Sequence, residues 1–218
     1  MTWDWQFVWS FMPTLLEGAW LTVLATVVGT VIALLLGAVL AVAGYSRYRL
    51  VRGAIAFVVQ FLRGTPLLVQ LYVIFFVLPD IGIVLPAFLA GVIGLGVHYS
   101  AYLAEVYRAG IDSVDRGQWD ASTAINLSRR QVWLHVILPQ AIPKMVPPLG
   151  NYSIGMLKES ALLSTISVFE LVARAQAIGN ETYRFTEPLT LVGLSFLTLT
   201  IIFTLLLRLA ERKAEGLR

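Results

Sequence analysis

Four ionisable side chains, Arg63, Glu105, Lys158 and Glu159, stand within stretches of the chain that are otherwise apolar. At the centre of a membrane helix such a group costs about 2.5–3.5 kcal/mol, so it normally faces protein or a water-filled cavity. A cavity that offers both a cation and an anion suits a zwitterion. Thr65, Tyr99 and Ser160 join the four as candidate lining, and Tyr72, Phe75, Phe76 and Tyr99 offer faces to a cationic ring.

Each of these readings has a structural counterpart. The run Arg63-Gly64-Thr65-Pro66 implies a broken helix, and supplying a donor to the carbonyls freed there is the preferred role for Arg63. Lys158 and Glu159 either line a path or pair to hold the fold, and the sequence leaves both open. Glu105 lies where Arg108, one turn on, can pair with it. The aromatic residues otherwise serve as packing or lipid-facing groups. His98 reads as a buried hydrogen-bonding residue. It shares the chain only with His135, in a loop, so no pair of metal or haem ligands is available.

A second polar feature is longer. Arg116-Gly117-Gln118-Trp119-Asp120-Ala121-Ser122 runs on through Asn126 to Leu138-Pro139, carrying Arg129, Arg130 and His135 on the way. The loop, about 113–139, is long enough to hold its own short helices. Arg116 and Asp120 offer charge, Trp119 and its small neighbours offer shape, and something outside the membrane can grip them. Asn126 suits the left-handed corner between two helices, a conformation that Asn adopts more readily than other non-Gly residues. A plain solvated loop is the alternative.

The elements that carry these residues follow from composition. The 218 residues are 58% hydrophobic and 13% charged, with a mean hydropathy of +0.78. A soluble domain carries about 25% charged residues, so an all-α integral membrane domain spanning residues 1–218 is expected. The formal charge of +3 reflects the Lys and Arg that cytoplasmic loops collect, and nucleic acid is not needed to explain it. Disulfides and thiolate sites are excluded by the lack of cysteine. The N-terminus lacks the basic region of a cleavable signal. Trp5, Val8, Trp9, Met12 and Leu16 keep helical spacing, which predicts an interfacial helix over about residues 3–13, or else the frayed start of the first span. Spans are expected at about 19–43, 54–78, 84–107, 141–168 and 189–207, the fourth broken by Pro143, Pro147, Pro148, Gly150, Lys158 and Glu159. In the first, Gly29, Ala33, Gly37 and Ala41 form a stripe that would let another helix approach closely, if it is more than ordinary membrane-helix composition. Arg47, Arg49 and Arg52, then Arg108, Arg116, Arg129, Arg130 and Lys144 around the polar loop, and Arg208, Arg212, Lys213 and Arg218 all fall on one side. The positive-inside rule then puts the N-terminus outside, with the polar loop and C-terminus in the cytoplasm.

The loop resembles the EAA loop of binding-protein-dependent ABC importer permeases. That pattern is Glu-Ala-Ala, three residues, Gly, nine residues, Ile, one residue, Leu-Pro; here Asp120, Ala121, Ser122, Asn126, Val136, Leu138 and Pro139 hold its positions. Asp keeps the carboxylate, Ser the small volume, and Asn the capacity for a left-handed corner. Phe61-Leu62-Arg63-Gly64-Thr65-Pro66-Leu67-Leu68-Val69-Gln70 and Ala104-Glu105-Val106-Tyr107-Arg108-Ala109-Gly110 resemble the polar amino-acid branch of that family. Three passages, Met1 to Trp5, Leu95 to Tyr99, and Glu181 to Leu191, resemble the permease subunit of ectoine and hydroxyectoine importers.

The resemblance implies a type I importer transmembrane domain of a bacterial inner membrane. Residues 116–122, Asn126, Leu138 and Pro139 would couple it to a cytoplasmic ATPase subunit. It also implies an extracytoplasmic solute-binding protein, a second permease (another copy or a relative) and ectoine or hydroxyectoine as cargo, with a polar amino acid or opine as the alternative. No phosphate-loop, nucleophile-elbow or zinc-protease motif occurs, so the chain is expected to be no enzyme by itself, to need no cofactor, and to leave ATP to the partner. A stand-alone secondary transporter or a non-transporting scaffold would be the rival class. The first usually carries an internal repeat, and none is visible.

Overall fold

The computed structural model describes residues 3–215; Met1, Thr2 and Arg218, used above, lie outside them. Every regular element among the described residues is helical. In chain order they are α1 (Trp5–Gly44), α2 (Arg49–Gly64), α3 (Leu67–Tyr72), α4 (Ala87–Asp112), α5 (Arg116–Ala124), α6 (Arg129–Gln131), α7 (Leu138–Glu159), α8 (Leu171–Thr182) and α9 (Thr186–Glu215). Three helices, α1, α4 and α9, are long and apolar enough to cross a membrane. The number rises to five if each of two bent helix pairs counts as one span.

The expected interfacial helix is not a separate element. Its residues open α1, which runs unbroken for 40 residues, about 60 Å at 1.5 Å per residue and twice a hydrocarbon core. Pro13 lies inside without stopping it. The reason is tertiary: Val8, Phe11 and Leu15 are buried against Leu171, Ala175, Ile178 and Val192 of α8 and α9, which clamps the first turns in line with the rest. Asp4 starts the helix, accepting from the backbone N–H of Gln6 at 2.9 Å and of Phe7 at 3.1 Å.

The small-residue stripe does what its spacing allows. Gly29, Ala33, Gly37 and Ala41 are all buried. A Cβ on Gly37 would stand 3.0 Å from both the Leu103 Cβ and the Ser100 carbonyl oxygen, and one on Gly29 would stand 2.9 Å from the Met156 sulfur. Thus α1 touches the backbone of α4, and Leu95, Leu103, Met156 and Leu163 close a core around that contact.

The expected second span, 54–78, is sharply broken. α2 and the segment from Leu67 to Ile81 meet at 103°, and a π turn over Val73–Val77 continues α3. The fourth expected span starts earlier than its apolar run, and Pro143, Pro147 and Pro148 lie inside α7 without breaking it. α6 passes through a π turn, Val132–Ile137, into α7, which continues as a 3-10 segment to Ile166 and then bends by 48° into α8. Pro139 contributes to this irregular entry, having no N–H for the carbonyl one turn back.

Candidate functional site

Two groups of nominated residues come together, one on the 113–139 segment and one between α2, α4 and α7. The first begins at Asp115, whose side chain accepts from the Gly117 N–H at 2.6 Å and caps α5. The helix ends in a tight reversal. The Leu127 N–H donates to the Ser122 carbonyl and the Asn126 N–H to the Thr123 carbonyl, with Asn126 at φ +54°. This is the left-handed corner expected at that position. Ser128 and Gln131 then form a reciprocal capping box that starts α6.

Side chains of α5 divide by face. Ser122 is buried and donates to the Gln118 carbonyl, so a larger residue there would lift the helix off its base. Trp119 is half-buried rather than offered outward; it meets Trp133 edge-on at 5.4 Å, above a core of Val114, Ile137, Ala141 and Met145. Gln118 accepts from the Gln140 amide at 3.3 Å. Leu138 and Pro139 are partly buried at the start of α7 and supply the rigid floor. Arg116, Gly117, Asp120 and Ala121 are exposed, and neither charge has an ion-pair partner among the described residues. A cleft of about 580 Å³ lies beside Asp120, lined also by Thr123, Asn126, Arg129 and Trp133. Nearby, the Tyr45 phenol donates to Asp112 at 2.7 Å, and burial together with that bond pushes its pKa up to about 12.

The second group lies deeper. Tyr99, at the middle of α4, donates its hydroxyl to the Glu159 carboxylate at 2.9 Å. Tyr102 and Tyr152 stand beside it, with ring centroids 5.4 Å apart, and the Arg63 guanidinium lies 5.3 Å from the Tyr102 centroid. Arg63 and Glu105 share a cavity of about 230 Å³ with Leu40, Val59 and Arg108. Glu105 and Arg108 form the expected pair, at 3.3 Å. Lys158 is exposed and does not pair with Glu159, since consecutive helical residues point about 100° apart.

Arg63, Thr65 and Ser160 take roles other than those expected from the sequence. Arg63 does not repair the broken helix; Gln70 does. Pro66 has no N–H for the Leu62 carbonyl, and the Gln70 amide supplies that donor at 2.9 Å while also reaching Thr65 Oγ1 at 2.6 Å. Thr65 itself caps the Phe61 carbonyl at 2.9 Å, so its hydroxyl is engaged in the break. Ser160 is fully buried and donates to the Leu157 carbonyl at 2.7 Å, closing the helix end and not lining a path. Of the proposed aromatic faces, only Tyr99 reaches the charges. Tyr72, Phe75 and Phe76 pack on one another.

His98 is a buried hydrogen-bonding residue, its Nδ1 3.2 Å from Gln70 Oε1. Because the Gln70 amide nitrogen already donates, His98 must donate from Nδ1. Sequence reasoning missed Gln70, Tyr102, Tyr152 and Glu170. The first was legible as an amide one turn past a proline. Glu170, fully buried, caps α8 through the Val172 and Ala173 N–H groups and meets Thr22 of α1 at 3.4 Å. It lay just beyond the expected fourth span.

Residues 33–216 match the family described as "Binding-protein-dependent transport system inner membrane component". A Sinorhizobium fredii protein named "Probable amino-acid ABC transporter permease protein" is 41% identical over 215 residues, covering 96% of this chain and 93% of its own. The "Arginine transport system permease protein" of Bacillus subtilis is 34% identical, covering 94% of each. Among solved structures, one described as an amino acid ABC transporter with histidines superposes with a TM-score of 0.91 at 37% identity, over 98% of this chain and 100% of that one. An inward-facing methionine ABC transporter shares the fold, with a TM-score of 0.71 at 23% identity, over 96% of this chain and 98% of that one.

Proposed function

The chain belongs to the inner-membrane components of binding-protein-dependent transport systems, and on that premise we propose that it imports a small zwitterion of the amino-acid class. Membership makes it a membrane-embedded permease of an ABC importer, working with an ATPase and a substrate-binding protein. It leaves the secondary-transporter and scaffold readings without support.

One observation carries the coupling assignment: α5 presents Arg116, Gly117, Asp120 and Ala121 on a free face, while its other face is fixed to the start of α7. An ATPase subunit closing on ATP would seize that face. α7 would transmit the movement as a rod, because Leu138 and Glu159 lie at its two ends, about 30 Å apart at 1.5 Å per residue. Glu159, held by Tyr99, would meet the cargo's ammonium, and Lys158 or Arg63 its carboxylate. The loop is assigned to the cytoplasm and the N-terminus to the outside, as the distribution of Lys and Arg favours. One chain supplies half of a pathway, completed by a second copy or a related permease.

Amino acids are preferred as cargo because relatives along nearly the whole chain carry amino-acid names. Ectoine and hydroxyectoine form a second reading, favoured by Tyr99, Tyr102 and Tyr152 beside Glu159, which suit a delocalised cationic ring. ATP hydrolysis by the reconstituted importer should rise with binding protein loaded with the true cargo. Polar amino acids, opines, ectoine and hydroxyectoine are the arms to compare. Stimulation by ectoine alone would overturn the amino-acid assignment. Full stimulation in an Asp120→Arg permease would overturn the coupling assignment.

A further inference from the structure

Where α1 ends and α2 begins, a cleft of about 440 Å³ opens between Gly44, Arg49, Arg52, Gly53 and Arg108. No carboxylate lines it. The nearest acids are engaged: Glu105 holds Arg108 Nη1 at 3.3 Å, and Asp112 accepts from Tyr45 at 2.7 Å. Arg49 and Arg52 have no ion-pair partner among the described residues. Arg108 keeps its buried Nε without an acceptor. Both Arg49 and Arg52 also stand in the first turn of α2, the positive end of the helix dipole, where no side chain caps the free N–H groups. Three arginines therefore line one cleft, and Glu105, outside its lining, pairs with Arg108 alone, which leaves Arg49 and Arg52 without a countercharge among the described residues.

We propose that this cleft binds the phosphate of an anionic phospholipid headgroup. Its surroundings select a lipid over a soluble ion. Val39 and Val42 of α1 and Leu50 and Phe57 of α2 are exposed apolar residues on the same two helices. Tyr45 and Tyr48 mark the boundary between that apolar surface and the basic residues, as aromatic side chains do at a membrane interface. Arg47 lies 4.8 Å over the Tyr48 ring and adds charge at the rim. Basic pockets between membrane helices are suited to lipid headgroups. The inference rests on membrane placement and on neither the cargo nor the coupling helix.

The test uses the complete permease–ATPase complex in nanodiscs of phosphatidylcholine with phosphatidylglycerol. Lipid retained after gentle delipidation is measured by native mass spectrometry. The wild-type complex should retain phosphatidylglycerol over phosphatidylcholine. Arg49→Gln with Arg52→Gln should lower that preference about thirtyfold, at the usual strength of two basic side chains beside an anionic leaflet. Arg49→Lys with Arg52→Lys should restore most of it. Equal retention by wild type and the Gln pair would overturn the site. So would displacement of the lipid by inorganic phosphate, which would make it a soluble-anion site. Loss of the ATPase subunit from the Gln pair, with lipid retained, would assign the arginines to the partner protein instead. Should the Gln pair not assemble, a photoactivatable phosphatidylglycerol on the wild-type complex decides the matter. Crosslinks within residues 44–56 support the proposal, and crosslinks spread over the apolar surface refute it.

Discussion

The exposed corner at α5 and the broken helix at Pro66 are both polar features of an apolar chain, and they use polarity in opposite ways. At the corner, backbone groups are satisfied locally by Asp115, by the reversal through Asn126, and by the Ser128–Gln131 box. The charges Arg116 and Asp120 keep no ion-pair partner among the described residues. At the break, the side chains themselves are consumed by backbone repair: Gln70 serves Leu62, Thr65 serves Phe61, and His98 holds Gln70 in place. Water can satisfy a corner at the membrane surface but not a carbonyl orphaned at depth. An intramembrane polar residue is therefore first a candidate for structural repair. It becomes a candidate for transport only when repair leaves it free, as Lys158 and Arg63 are left.

This contrast can be broken by experiment. The largest effect is expected at the corner, where Asp120→Arg reverses a charge in the proposed ATPase interface at a cost of several kcal/mol. Substrate-driven ATP hydrolysis should fall on the order of a hundredfold. The thermal unfolding temperature of the permease alone should stay put, because Asp120 supports nothing within the chain. A destabilised variant would show that the corner, too, is structural.

Next come the two charges at the end of α7. Lys158→Ala and Glu159→Gln should each lower uptake about tenfold or more, the scale of one charge-assisted hydrogen bond to cargo. Assembly should be normal, since Gln can still accept from Tyr99. Unchanged uptake in both would remove these residues from the path. Gln70→Leu should do the reverse, costing about 1–3 kcal/mol of stability by orphaning the Leu62 carbonyl. A variant with unchanged unfolding but lost transport would make Gln70 a cargo ligand and erase the distinction.

The smallest effect concerns the N-terminus. The Phe7 N–H, with help from Arg184 and the Gln6 N–H, holds the Asp4 carboxyl below its usual range. Its contribution to anchoring α1 is complete above the unfolded value of about 3.9 and disappears as the pH falls through the lower folded value. Hydrogen exchange over residues 5–9 should rise only below about pH 4, and should rise at neutral pH in Asp4→Asn. The same residue joins Arg184 and Glu187 in a small network outside the apolar spans.

Much of this was legible beforehand because local rules govern it. The Asn126 corner, the Glu105–Arg108 pair and the stripe from Gly29 to Ala41 each depend on residues a few positions apart, where spacing alone decides geometry. The orientation of Trp119 was not legible. Its spacing allows either face, and only Trp133, fourteen positions on, shows that it points inward. The continuity of α1 was hidden for a similar reason, since the residues that clamp its first turns lie beyond position 170.

The sequence by itself determined an all-helical membrane chain, the position of its polar loop along the chain, and the break at Pro66, because hydropathy, proline and capping act over a few residues. At Pro13, Pro143, Pro147 and Pro148 the helices run on. Tertiary structure alone decided which polar side chains remain free. Gln70, His98, Tyr99 and Glu159 reach one another only through packed helices. Whether a buried donor has an acceptor is settled by what lies across the interface, at a distance in the chain that no local pattern records.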